Sequence, residues 1–167
     1  PFIGVNHLEG HIYAAWLDVE NPEIDPGFPL ICLIASGGHT DLVLMEGHGQ
    51  YTLVGRTRDD AAGEAFDKSA RVLGLGFPGG PEIQKIATEG DGTERKFTNP
   101  QIRDSMDFSF SGLKTALLRR VQEKGWDPSV MGTELNHKEI ANIAKAFQEA
   151  MVGHLVQNTL KAVDKYR

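Results

Sequence analysis

Apolar and polar positions along the 167 residues divide into segments of two periods. Leu30 to Ala35 is a nearly continuous apolar run, the pattern of a central strand buried on both faces. Ser36-Gly37-Gly38-His39 turns it, Thr40 to Met45 reads as a second strand, Gly47 to Gln50 as a second turn, and Tyr51 to Thr57 as a third strand. Together they predict an antiparallel meander. Ahead of it, Phe2 to Val5 reads as the end of a short strand, and Asn6 as the cap of a helix from about His7 to Leu17. Asn21 to Pro29, rich in Pro, Asp and Glu, reads as a connector between lobes.

The period then changes from two to 3.6. Ala62, Ala65, Phe66, Ser69, Ala70 and Leu73 form one stripe of small and apolar residues, predicting a helix capped by Asp59 or Asp60 and stopped by Gly74 and Gly76. Pro78-Gly79-Gly80-Pro81 predicts a tight loop, with Pro81 opening a short helix to about Thr88. Glu89 to Asp107 is a long polar excursion, and Ser111 to Lys124 looks helical. Asn136 and Glu139 make a capping-box start to a last helix reaching Lys165, with Ile140, Ala144, Phe147, Met151, Leu155 and Leu160 as its buried stripe. Three strands followed by helices, with no closing strand, predict an α/β domain whose sheet is incomplete.

Composition changes this picture little: 40% apolar and 24% charged residues suit one globular domain with a real core. No run approaches the roughly 18 apolar residues of a membrane span, so no membrane role is expected. The single cysteine, Cys32, lies in an apolar run and reads as a small buried hydrophobe in a reducing setting. The net charge of −6 is uneven. Residues 1–83 carry 4 Lys/Arg against 12 Asp/Glu, residues 84–167 carry 13 against 11. Any nucleic-acid surface therefore belongs to the second half, to further segments or to a partner.

Four motifs carry candidate chemistry. His7 and His11 lie four apart, one above the other on a helix, where two imidazoles can grip one metal ion; the alternative is a pair that caps or packs a helix end. Glu9 follows His7 by two residues and points roughly 200° away from it, unlike the base of a His-Glu-x-x-His hydrolase. Ala35-Ser36-Gly37-Gly38-His39-Thr40 can present backbone N–H groups to phosphate, or be an ordinary hairpin turn. In Asp59 to Lys68, Asp67 can accept from ribose hydroxyls while Glu64, Lys68 and Arg71 pair along a solvated face. Phe108-Ser109-Phe110-Ser111, with Lys114 behind it, is either core and helix cap or a loop over substrate.

In series, Val5-Asn6-His7-Leu8-Glu9-Gly10-His11, Ser36-Gly37-Gly38-His39-Thr40, Asp59 to Lys68, Pro78-Gly79-Gly80-Pro81 and Phe108 to Thr115 resemble one family, the tRNA N6-adenosine threonylcarbamoyltransferases, formerly labelled O-sialoglycoprotein endopeptidases or glycoproteases. The resemblance implies an actin-like, Hsp70-like (ribonuclease H-like) ATPase fold, with residues 1–29 ending a first lobe and 30–167 beginning a second. It implies transfer of a threonylcarbamoyl group from threonylcarbamoyl-adenylate to N6 of adenosine 37, in the anticodon loop of tRNAs reading codons that begin with A. It matches His7 and His11 to a metal pair, for iron or zinc, and Ile34, Ala35, Ser36, Gly37, Gly38, Asp67 and Gly80 to contacts with the nucleotide part of the substrate. It further implies accessory proteins, a dimer through a family paralogue, and a cytoplasmic or mitochondrial setting. The family's later Gly-Gly-Val-x-Ala-Asn and Asp-Asn-Gly segments, the second supplying an Asp metal ligand, are not found here. The chain thus reads as an internal piece of a protein about twice as long. The competing classes are a metal-dependent glycoprotease, a sugar-kinase-like ATPase and a non-catalytic partner-binding lobe.

Overall fold

A computed structural model describes residues 2–17, 27–98, 102–126 and 135–167. The order is α1 (His7–Leu17), β1 (Leu30–Ala35), β2 (Thr40–Gly47), β3 (Gln50–Arg56), α2 (Ala62–Val72), α3 (Gly79–Ala87), α4 (Ser111–Glu123) and α5 (His137–Tyr166). It is an α/β arrangement around one three-stranded antiparallel sheet in the order β1-β2-β3. The β1–β2 register runs from Leu30 opposite Met45 to Ala35 opposite Thr40.

The sheet order corrects one expectation. β2, not β1, is the central strand; Leu42 and Met45 are fully buried, whereas β1 has a single neighbour among the described residues and Leu33 is exposed. A continuous apolar run marks contact on both faces, and says nothing about which edge is paired. Phe2 to Val5 is not a strand either. It runs without regular structure, and Phe2, Ile3 and Val5 are exposed. The connector at Asn21–Pro29 lies outside the described residues up to position 26.

Two apolar clusters hold the molecule. The larger joins α2, α3, α4 and α5 through Ala65, Leu73, Ile83, Leu113, Leu117, Ile143, Phe147 and Met151. The smaller seats α1 on the sheet through Ile12, Ile34, Val43 and Met45. α5 begins with the predicted capping box: Asn136 accepts from the Glu139 N–H while Glu139 answers the Asn136 N–H. Its stripe holds at Ala144, Phe147 and Met151, but Leu160 is 56% exposed. Over 30 residues the 3.6 period drifts past a strict i, i+4, i+9 reading, so Asn158 and Ala162 take the buried face instead. α3 starts at Gly79, two residues before Pro81, whose missing N–H falls in the first turn where none is needed.

The cap expected from Asp59 or Asp60 for α2 is absent. Ala61 occupies that position, and the Ala62 N–H donates to Thr40 Oγ1 at 2.8 Å. Asp59 reaches across some fifty residues instead. Its Oδ1 accepts from the Phe110 and Ser111 N–H groups at 2.8 and 3.2 Å, and its Oδ2 from the Ser109 and Ser111 hydroxyls. It is thus the anchor for the start of α4. Phe108 and Phe110 are fully buried and stack at 6.0 Å between centroids, which makes this motif core and cap, not a loop over substrate. Buried His154 meets both rings edge-on and accepts from the Ser109 N–H at 3.4 Å. Asn158 donates to the Asp107 carbonyl at 2.8 Å.

Burial pushes the Asp59 carboxyl up, but the Ser109, Phe110 and Ser111 donors outweigh it and hold it below the usual carboxylate range. A depressed folded value contributes stability that is complete above the unfolded value near pH 4 and lost as pH falls through the folded value. Asp59→Ala should therefore lower stability by about 2–4 kcal/mol at neutral pH. It should also flatten the acid limb of stability below about pH 4 relative to wild type. Urea unfolding at stepped pH checks both; an acid limb of unchanged steepness would remove Asp59 from this role.

Candidate functional site

α1 presents two faces, because residues four apart stack and residues two apart diverge. Asn6 Oδ1 accepts from the Leu8 and Glu9 N–H groups at 3.0 and 3.2 Å and starts the helix. On one face Glu9 Oε1 accepts from the Tyr51 hydroxyl at 2.9 Å, and the Tyr13 hydroxyl meets His48 Nδ1 at 2.9 Å. Burial pushes the Tyr51 hydroxyl well up, with Tyr13 and Glu9 adding to it. These contacts tie α1 to β3 and to the β2–β3 turn. On another face the His7 and His11 Nε2 atoms stand 3.2 Å apart.

That spacing is close to what one shared metal ion requires. Two ligands at about 2.1 Å from a tetrahedral ion lie a little over 3 Å apart. The pair therefore has the bite of a chelate and the right donor atoms for zinc or iron. Among the described residues no group of three or more His, Cys, Asp or Glu is placed to complete a site. The His39 ring lies 6.3 Å from that of His7, a proximity that the linear spacing of 32 residues does not disclose.

The Ser36–His39 turn closes with the Ser36 N–H donating to the His39 carbonyl at 2.9 Å. Ser36 Oγ accepts from the Gly38 and His39 N–H groups at 3.3 and 3.1 Å. The Gly38 N–H is thus partly occupied, while that of Gly37 has no partner among the described residues. α2 begins against this turn. The Gly63 N–H donates to the Ser36 carbonyl at 3.0 Å, and a Cβ on Gly63 would meet that oxygen at 2.7 Å and Gly37 Cα at 2.8 Å. No side chain fits there. The positive end of the helix dipole consequently stands beside the turn.

His11, Ile34, Ala35 and Ser36 line one cleft of about 530 Å³ between α1 and β1. The structure therefore brings His11 and the start of the turn to one cleft, with the His39 ring near His7. Asp67 lies one helical turn beyond Gly63 on the same face of α2, about 6 Å further along the axis. Its Oδ1 accepts from the Gly79 N–H at 2.7 Å. A Cβ on Gly79 would meet Asp67 Cα at 2.6 Å, whereas Gly80 faces open space. Asp67 also borders a separate notch of about 320 Å³ with Glu64, Lys68, Arg71 and Phe77. Asp60 binds Lys68 at 2.6 Å and Lys114 at 3.4 Å. The Lys68 hydrogen bond is the main reason the Asp60 carboxyl sits below its usual range. Lys114 thus pairs with Asp60. Thr40, Gly63 and His39 lie in motifs the sequence singles out, but their contacts here are made only after the hairpin folds.

Gly63→Val should lower stability by about 1–3 kcal/mol by forcing the turn and α2 apart. Thermal unfolding checks it, with Gly80→Ala as the control expected to change little. Equal melting temperatures for Gly63→Val and wild type would show that the turn yields freely.

Comparison with known proteins adds a whole-chain match. The family model described as tRNA N6-adenosine threonylcarbamoyltransferase covers residues 1–167. Proteins of that name from Symbiobacterium thermophilum, Thermomicrobium roseum and Dehalococcoides mccartyi are 52%, 52% and 53% identical over 98%, 99% and 99% of this chain, and it covers 45%, 49% and 46% of theirs. The chain spans about half the length of the curated relatives it matches. With a family model matched from end to end and relatives about half identical over nearly the whole chain, this chain belongs to the tRNA N6-adenosine threonylcarbamoyltransferase family.

Proposed function

We propose that this chain forms the metal-binding and nucleotide-binding part of an enzyme that transfers threonylcarbamoyl from threonylcarbamoyl-adenylate to N6 of adenosine 37 in tRNAs reading codons that begin with A. The observation that most supports the reading is the common cleft of His11 and Ile34–Ser36, in a chain matched throughout by the transferase family. In this reading residues 1–29 end the first lobe of an actin-like, Hsp70-like fold and residues 30–167 begin its second. The other partners are accessory proteins and a paralogue that dimerises with it. The setting is the cytoplasm. No helix among the described residues is long and apolar enough to cross a membrane.

The reaction replaces one bond at the carbamoyl carbon. The N6 amine attacks it, the bond from that carbon to the adenylate phosphate oxygen breaks, AMP departs, and the amine loses a proton to solvent. The chain's own residues position and stabilise. Ser36, Gly37 and Gly38, backed by the α2 N-terminus, hold the phosphate and steady the charge that grows on it as AMP leaves. Asp67, one turn along the same face, holds the ribose with the carboxylate oxygen not engaged by Gly79. Gly80 leaves backbone bare for the base to lie against. His7 and His11 would hold a divalent ion, which supplies Lewis acidity toward a carbamoyl or phosphate oxygen. The target amine is a poor nucleophile, so alignment of both partners supplies much of the rate. A base unstacked from the anticodon loop is the form that can reach the cleft.

The older hydrolase label finds no base here, because the Glu9 carboxylate is engaged by Tyr51 on a different face of α1 from the histidines.

The test is threonylcarbamoyl transfer by the full-length protein with its accessory proteins and tRNA, read by nucleoside mass spectrometry. Wild type should form the modified adenosine. His7→Ala/His11→Ala should lose metal, measured by elemental analysis, and lose product together. Product formed equally by both proteins would return the histidines to a structural role, and no product from wild type would sink the transferase reading. Asp67→Ala should raise the KM for the adenylate by about tenfold, the size of one lost hydrogen bond to a charged group, with a smaller change in kcat.

A further inference from the structure

The segment 102–106 and the last turns of α5 enclose a separate groove of about 460 Å³. Arg103, Lys161 and Lys165 line it beside one carboxylate, Asp104, over half-buried Ile102 and Met106. In a chain of net charge −6, three cations converging on one groove ask for an explanation. Their internal partners are weak. Arg103 reaches Asp104 at 3.7 Å, with both side chains over 90% exposed, where an ion pair is screened and worth little. Lys161 Nζ lies 3.4 Å from the neutral Asn158 Oδ1, and Lys165 Nζ lies over the Tyr166 ring at 5.2 Å. The nearby Asp164 faces Arg167 at 3.2 Å in a pair that is also exposed. Lys161 and Lys165 are four apart, hence on one face of α5 and about 6 Å apart along its axis.

Resting on the proposed tRNA substrate, we infer that this groove holds the phosphodiester backbone of the tRNA outside the loop that carries the reacting base. Phosphate contacts of this kind fix register and orientation without reading sequence, which suits an enzyme that accepts a set of tRNAs. Repeated cations along one face match repeated phosphates along a strand. A protein partner would instead want a large aromatic or aliphatic anchor at the centre, and the floor residues here are already half-buried. The placement also accounts for the uneven charge. The first half of the chain has few cations to hold a phosphate backbone, and the groove lies in the half that carries most of them.

The test uses the full-length protein with its accessory proteins and an unmodified tRNA transcript, with binding measured by filter retention across a KCl series. Arg103→Glu/Lys161→Glu/Lys165→Glu should weaken binding about tenfold or more at low salt. It should also reduce the slope of log K against log[KCl] by about 2 to 3, close to one per lost phosphate contact. AMP affinity, measured by calorimetry, should stay unchanged. The charge-preserving set Arg103→Lys/Lys161→Arg/Lys165→Arg should keep both affinity and slope. An unaltered slope in the reversed variant, with wild type still modifying tRNA, would overturn the groove and leave the transferase standing. Equal loss in the charge-preserving set would also overturn it, since charge would not be what matters. A wild type that neither binds nor modifies tRNA would overturn both readings.

Discussion

The docking of α2 against the β1–β2 hairpin is the constraint on which the candidate site depends. It consists of two hydrogen bonds and a missing side chain. Thr40 Oγ1 takes the first N–H of the helix, the Ser36 carbonyl takes the Gly63 N–H, and bare Gly63 lets the two backbones touch. Thr40 does this while fully buried and while its carbonyl accepts from the Thr57 N–H at 2.8 Å. One residue therefore closes the sheet, caps the helix and fixes the turn. A larger residue at 63 would separate the Ser36–His39 turn from the helix N-terminus, and the two side by side make surroundings that would suit an anion. Asp67 inherits its position from the same contact, because a helix is stiff over one turn.

A second clamp of the same type holds the far side. Asp59 gathers four donors from residues 109–111, and Asp60 takes Lys68 and Lys114. Adjacent carboxylates thus point to different elements and tie the end of the sheet to α2 and α4. Around them, Phe108 bridges Thr57, and His154 and Asn158 reach from α5 to the same loop. The polar groups are nearly all satisfied where they are buried, as a low-dielectric site requires. His154 Nδ1 and Ser69 Oγ are the exceptions among the described residues. Burial, with the Lys161 charge adding to it, keeps the His154 ring below its usual value and so favours the neutral form that accepts from Ser109.

What could be read from the chain divides along physical lines. Local signals were sufficient for the helices: Asn6 and Asn136 cap as their side chains allow, and the small-residue stripe of α2 packs as its period requires. The hairpins followed from Gly-rich turns between apolar runs. What failed depended on partners distant in sequence. An aspartate before a helix caps it only if no other acceptor is nearer, and Thr40, 22 residues away, was nearer. Leu30 to Ala35 could not announce its edge position, since hydrogen-bond pairing leaves no mark on hydropathy. At the site, the His pair and the turn were legible as separate motifs. The cleft that His11 shares with the turn, and the approach of His39 to His7, came only from the seating of α1 on the sheet.

That seating sets where α1 holds its two histidines. An 11-residue helix is marginal in isolation, so its position has to be set by packing. Ile12 is its one buried residue, with Leu8, Tyr13 and Trp16 packed half-buried around it. Polar contacts add to that hold, through Glu9 to Tyr51 and Tyr13 to His48. Because Glu9 and Tyr13 are four apart, and His7 and His11 are four apart, the same period sorts anchor residues and candidate ligands onto different faces. The acidic residue between the histidines, which in a hydrolase would work on the substrate, is therefore required elsewhere. Removing the Glu9 carboxylate would loosen the helix before it touched any chemistry, and the histidines would lose their alignment with the turn as a consequence.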